Sequence, residues 1–128
     1  MRSRPAIALG LALLAACQVG TEAKNYPPAT GPAGATVNLQ FHDKSRTSGE
    51  LLAVESGALL LLRGSVVTRI ALPQIRSGNA PKVGFDGRLR GDTRERLRLI
   101  SRYPQGVSPE LESQLLRAYA QSEVRNLP

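Results

Sequence analysis

Short apolar stretches separated by polar turns fill residues 36–86, and this pattern restricts the fold more than any other feature. Val37, Leu39 and Phe41 alternate with polar residues, which is the two-residue period of a half-buried strand. Three more strands and a short fifth one are predicted at 50–55, 58–62, 66–72 and 82–85. Short strands with short connections favour an antiparallel meander, which a chain of this size can curl into a barrel that covers its edges.

Part of this region resembles the second and third strands of small SH3-like and Sm-like β-barrels. The matching residues are Gly49-Glu50-Leu51-Leu52-Ala53-Val54-Glu55, a short turn and Leu59-Leu60-Leu61-Leu62, with a weaker match at Ile75-Arg76-Ser77-Gly78. The resemblance covers residues 37–85 and implies a small antiparallel barrel of four or five strands. Sm proteins read RNA bases with an Asp and an Asn around the second-to-third strand turn. This chain has Glu55-Ser56-Gly57-Ala58 there, so only the fold is carried over.

The first seventeen residues have the pattern of an export signal. Arg2 and Arg4 precede an uncharged apolar stretch, residues 6–16, which is too short to span a bilayer because a spanning helix needs about 20 residues. The stretch ends in Leu14-Ala15-Ala16-Cys17, which resembles a bacterial lipobox. The resemblance implies that the Cys17 thiol is acylated with diacylglycerol and that Cys17 then begins the mature chain. The alternative is an ordinary signal peptide cut at an Ala-x-Ala-like site.

The residues after Cys17 suggest where the protein is held. In lipoproteins an Asp directly after the acylated Cys retains the protein in the inner membrane, and this chain has Gln18. We therefore expect an outer-membrane lipoprotein that faces the periplasm, if the cell has two membranes. Residues 17–35 are rich in Pro and Gly, so we expect a flexible tether between the lipid and the folded part.

After the strands, the sequence predicts two helices that form an αα-hairpin over the barrel. Asp92, with Glu95 three residues later, is a candidate cap for a helix at 93–102. Ser108 is the candidate cap of the next helix, and Pro109 stands at its first position. The apolar side of this helix would consist of Leu111, Leu115, Ala118 and Tyr119. The predicted organisation is a signal peptide at 1–16, a tether at 17–35, a barrel at 36–86 and a basic segment with the hairpin at 87–128.

Six arginines lie within residues 88–102. Arg94, Arg98 and Arg102 repeat every four residues and would share one side of a helix, which makes them a candidate anion-binding stripe. A lipid headgroup, an envelope glycan or an acidic partner would fit it, whereas the alternative reading is a solvated face. Nucleic acid is not expected as a partner. Cleavage of the signal segment removes Arg2 and Arg4 and lowers the net charge from +7 to +5. In addition, no aromatic residues alternate with the arginines to stack on bases.

No catalytic or metal-binding constellation is recognisable. His42 and Asp43 are adjacent, but neighbouring residues on a strand point to opposite faces. One Cys and one His cannot form a Cys/His zinc site. We therefore expect a non-enzymatic, membrane-anchored lipoprotein without a cofactor, which acts as a binding or assembly module with an envelope protein partner. The alternative is a basic module that binds an anionic lipid headgroup or an envelope glycan.

Overall fold

The computed structural model describes residues 33–127, which form a sheet of seven strands and two helices. The strands are β1 (Thr36–Phe41), β2 (Arg46–Val54), β3 (Ala58–Arg63), β4 (Val66–Ala71), β5 (Ile75–Ala80), β6 (Val83–Phe85) and β7 (Arg125–Leu127). The helices, which lie between β6 and β7 in the chain, are α1 (Gly91–Ile100) and α2 (Pro109–Ala118). A single 3-10 turn, Leu72–Gln74, joins β4 to β5.

The strands lie in the order β6-β5-β1-β2-β3-β4-β7. Neighbouring strands are antiparallel except for β4 and β7, which run parallel. Within residues 33–127 no pairing joins β6 to β7, so the sheet is mixed and open. The prediction of a mainly β protein in which two helices follow the predicted strands is confirmed. The closed barrel and the count of four or five strands are not confirmed.

Both faces of the central strands are buried, and each face has its own apolar cluster. On β3, Leu59 and Leu61 belong to the first cluster, whereas Leu60 belongs to the second. This division follows from the period of a strand, in which successive side chains point to opposite faces. It explains why residues 58–62 are apolar at every position, since a strand that is covered on both sides has no solvent-facing residues. Ile70 on β4 is fully buried in the first cluster.

The two helices join different clusters. On α1, Leu97 belongs to the first cluster and Ile100 packs against it. On α2, Leu115 belongs to the second cluster, and Leu111 and Leu116 pack against it. The predicted hairpin, with both helices over one end or face, is therefore wrong: α1 covers one side of the sheet and α2 covers the other.

One of the two predicted helix caps is confirmed. The hydroxyl of Ser108 accepts a hydrogen bond from the Leu111 N–H at 3.1 Å, and Pro109 begins α2 as expected. At α1 the cap position is Arg90, which makes no capping side-chain bond. Asp92 instead lies in the first turn, where a carboxylate is favoured by the positive end of the helix dipole. On α2 the predicted apolar residue Ala118 is exposed.

The strand boundaries differ from the prediction in three places. β2 begins at Arg46 rather than Glu50, because its first half pairs with β1. β5 was not predicted, since most of its residues are polar or small, yet it pairs with β1 on one side and β6 on the other. The tail strand β7 was not predicted either, and it is held by its pairing with β4. A Cβ at Gly78 on β5 would lie 2.4 Å from the Phe85 ring, so this close approach requires Gly.

Two polar side chains bind the C-terminal part to the sheet. Arg69 on β4 forms ion pairs with Glu55, at 2.8 Å, and with Glu112 on α2, at 3.1 Å. Gln121 pairs with the backbone of Val67 as a neighbouring strand would. Its Oε1 accepts from the Val67 N–H at 2.8 Å and its Nε2 donates to the Val67 carbonyl at 2.9 Å. Both contacts continue the edge of β4 toward α2 and the tail.

Residues 33–35, the end of the predicted tether, are held against the fold. The Ala35 N–H donates to the Ile100 carbonyl and the Ala35 carbonyl accepts from the Leu51 N–H, both at 2.8 Å. A Cβ at Gly34 would lie 2.1 Å from the Leu51 carbonyl oxygen, so no other residue fits without movement. The rest of the tether, the signal segment and Cys17 lie outside the described residues.

Candidate functional site

The second face of the sheet is covered over only part of its area. Leu60 and Val67 lie beneath α2 in the second cluster. The same face continues across β5, β1 and the first half of β2. There no helix of the described part covers it, and a surface depression of about 610 Å³ lies over the strands. Its lining includes six polar side chains, which we call the polar face: Asn38, Gln40, Arg46, Ser48, Ser77 and Asn79.

Strand register brings these six residues into two rows. Asn38 lies between Ser48 and Asn79. In the same way, Gln40 lies between its partners on the two neighbouring strands, Arg46 and Ser77. Neighbouring strands lie about 4.8 Å apart, and residues two positions apart on a strand are separated by about 7 Å. The polar face is therefore a grid of about 10 by 7 Å.

Among the described residues, the side chains of the polar face have no partner. Within residues 33–127 none of the six makes a side-chain hydrogen bond or an ion pair, and all except the half-buried Gln40 are exposed. Three carboxamides and two hydroxyls can each donate and accept hydrogen bonds, and Arg46 adds one positive charge. Such a set can bind a polar ligand or a protein surface through several directed hydrogen bonds. It contains no carboxylate, thiol or imidazole that could transfer a proton or attack a substrate.

The polar face was not predicted from the sequence. The alternation in β1 predicted that Asn38 and Gln40 face away from the core, but their neighbours could not be known from local pattern. Ser77 and Asn79 join them only because β5 returns to pair with β1. The available signal was the weak resemblance at residues 75–78, which does not specify strand pairing.

Two arginines of the predicted anion-binding stripe are engaged in internal contacts. Arg94 donates to the carbonyl of Glu55 at 2.8 Å. Arg98 donates to the Glu95 carboxylate, which lowers the pKa of Glu95, and also to the carbonyl of Pro104 at 2.7 Å. Each of these guanidinium groups therefore fixes a neighbouring segment of the chain, and anion binding at them stays a prediction.

The third member, Arg102, lies beyond the end of α1 and not on the helix as predicted. Its Nε and Nη2 donate to the two oxygens of Glu50, each at 2.6 Å, and the two side chains are only 4% and 16% exposed. The Gly34 N–H donates to the same carboxylate at 2.7 Å. The Arg102–Glu50 pair thus fixes the point at which the chain enters the folded part.

The side chains of His42 and Asp43 are both exposed, and no hydrogen bond or ion pair joins these two described residues. The Asp43 carboxylate accepts from both the backbone N–H and the hydroxyl of Ser45, and these two bonds lower the pKa of Asp43. It therefore shapes the turn between β1 and β2. No group of three or more His, Cys, Asp or Glu residues in the described part could hold a metal ion.

No helix among residues 33–127 has the length and apolar composition to cross a membrane. The predicted lipidation site, Cys17, belongs to the segment that the structure does not describe. Comparison of the chain with protein-family models, with curated proteins and with solved structures finds no match.

Proposed function

We propose that this chain is an exported lipoprotein, anchored through Cys17, that binds an envelope partner through the polar face. The proposal combines the lipobox-like sequence with one structural observation, which carries it. Six polar side chains lie together on an open sheet face and have no partner among the described residues. The role is non-enzymatic binding or assembly, because the face offers hydrogen bonds and one charge but no reactive group.

The rigidity of the polar face supports a binding role. β1 pairs with β2 on one side and with β5 on the other, so the backbone beneath the polar face is hydrogen-bonded before a ligand arrives. A preorganised surface binds more tightly than a mobile one, because less conformational entropy is lost on association. By comparison, the arginine side chains of α1 are already used to hold the fold together.

We also propose that the open sheet is an incomplete barrel. β4 and β5 are four strand spacings apart in the sheet, which is about 19 Å if the sheet were flat. Ala71 ends β4 and Ile75 begins β5, and four residue steps reach at most about 14 Å. The 3-10 turn between them makes the distance shorter still. The sheet must therefore curl so that β4 approaches β5, as the SH3-like and Sm-like resemblance implies.

The proposed location is the outer membrane, with the folded part in the periplasm. Gln18 after the acylated Cys supports this choice over the inner membrane, and the partner is an envelope protein. The described residues begin at 33, where the chain is held by the Arg102–Glu50 pair through Gly34. Residues 18–32 would then provide the distance between the lipid and the polar face.

Photocrosslinking in living cells tests the proposed binding surface. A photoreactive amino acid is placed at Ser77 in the full chain, or at Ser113, an exposed serine of α2, as the matched control. We expect a discrete adduct from position 77 only, and we expect Gln40→Ala with Asn79→Ala to abolish it. Equal adducts from both positions, or an adduct that survives the double substitution, would rule out the polar face as the binding surface.

A further inference from the structure

The loop before α1 holds a buried leucine between two exposed arginines. Leu89 has a positive φ of 43°, yet its side chain is only 3% exposed and belongs to the first apolar cluster. A left-handed backbone is unfavourable for a residue of this type, so the surrounding structure must impose it. The Asp86 side chain supports the loop, because it accepts from the Arg88 N–H at 2.9 Å. Arg88 and Arg90 are consequently displayed at fixed positions on either side of Leu89.

Two adjoining surface depressions meet at this loop. One, of about 330 Å³, is lined by Arg88 together with His42 and Arg76. The other, of about 450 Å³, is lined by Arg88 and Arg90. Arg76 belongs to β5. It is the residue that the β1–β5 register skips between Ser77 and Ile75, so it forms a bulge there. Arg88 therefore shares one depression with Arg76 and the adjoining one with Arg90.

These three arginines differ from the four arginines within residues 94–102. Arg94, Arg98 and Arg102 donate hydrogen bonds to backbone or carboxylate oxygens, and so does Arg96, to the Lys82 carbonyl. In the described residues, the side chains of Arg76, Arg88 and Arg90 make no hydrogen bond or ion pair, and all three are exposed. Only one carboxylate, that of Asp86, lines the same depressions.

We propose that Arg76, Arg88 and Arg90 form a binding site for a phosphate group. A guanidinium presents two parallel N–H donors that match two phosphate oxygens, and three such groups can surround a single tetrahedral anion. An occupied site would also relieve the repulsion among three nearby positive charges. The phosphate could come from a phospholipid headgroup beneath the tethered domain or from a soluble phosphate ester. This site is separate from the polar face, so either can be present without the other.

Titration of the full chain with inorganic phosphate tests the site. The protein is purified in an uncharged detergent, and binding is followed through the arginine Nε–Hε signals in NMR spectra. We expect Arg88→Gln with Arg90→Gln to weaken binding about tenfold or more, and we expect binding to fall with added sodium chloride. The matched control, Arg117→Gln with Arg125→Gln, removes the same charge from exposed positions elsewhere and should change affinity less than twofold.

Three results would overturn the proposal: no phosphate binding by the wild-type chain, an equal loss in both double variants, or unchanged binding in Arg88→Gln with Arg90→Gln. Thermal unfolding checks that the variants are folded, which we expect because both side chains are exposed.

Vesicle binding then distinguishes the two sources of phosphate. The full chain carrying Cys17→Ala is mixed with vesicles of phosphatidylcholine alone or with added phosphatidylglycerol. The apolar segment at 6–16 is the same in every sample, so it contributes equally to all of them. A preference for phosphatidylglycerol that disappears in Arg88→Gln with Arg90→Gln assigns the site to lipid headgroups. Phosphate binding without any vesicle binding that depends on Arg88 and Arg90 assigns it to a soluble phosphate ester.

Discussion

Replacing Glu50 with Gln should destabilise the protein strongly, although the two side chains have nearly the same shape. The substitution removes one charge of an ion pair whose other member, Arg102, is only 4% exposed. Removing one partner of a buried pair costs about 3–5 kcal/mol, because the remaining charge loses the carboxylate that offsets its burial. A domain of this size has a total stability of about 5–15 kcal/mol, and each kcal/mol corresponds to about 4–8 °C in Tm. We therefore expect Tm to fall by more than about 12 °C.

The assay is thermal and urea unfolding of the Glu50→Gln chain beside a matched control. Glu95→Gln breaks the Arg98 pair on α1, where the carboxylate is 54% exposed and water replaces most of the interaction. It should therefore destabilise the protein far less than Glu50→Gln. A double-mutant cycle with Arg102→Gln should give a coupling energy above about 1 kcal/mol, since the two groups bind each other directly. Equal losses for Glu50→Gln and Glu95→Gln would refute the reasoning.

Three further substitutions test other contacts. Arg69→Ser should cost about 1 kcal/mol through its two half-buried ion pairs, and the exposed Arg46→Ser is the control in urea unfolding. Gln121→Ala should cost about 1–3 kcal/mol because it leaves both backbone groups of Val67 unpaired, and an unchanged free energy of unfolding would count against the pairing. The pKa of Asp43 is lowered in the folded protein, so this group adds stability above its unfolded pKa that is lost as pH falls through its folded pKa. Asp43→Asn should therefore make Tm less dependent on pH in the acidic range, and an unchanged dependence would contradict this.

The sequence predicts strands well where hydrophobic burial decides the pattern. β1 alternates because only one of its faces enters the first cluster, and β3 is apolar throughout because both of its faces are covered. β5 escaped prediction because Arg76, Ser77 and Asn79 are exposed and Gly78 has a low strand propensity. Its pairing with β1 compensates for this low strand propensity. That pairing depends on strand order rather than on local composition.

The functional surfaces were harder to predict than the core, because they depend on which residues already have partners. The regular spacing of Arg94, Arg98 and Arg102 suggested one stripe, but α1 ends at Ile100 and the chain then turns inward toward Glu50. Hydrogen bonds to distant carbonyl groups cannot be seen in a sequence pattern. The polar face likewise depends on three strands that are separated in the chain.

The mass of the mature protein, extracted from membranes, tests most directly the claim that this chain is a lipid-anchored module. The account predicts a chain that begins at Cys17 and carries diacylglycerol on the thiol, visible as a modified N-terminal peptide ending at Lys24 after digestion with trypsin. With Cys17→Ala, the chain should remain an uncleaved precursor or leave the membrane fraction. A mature chain that begins with an unmodified residue, or one that retains residues 1–16, would contradict the account.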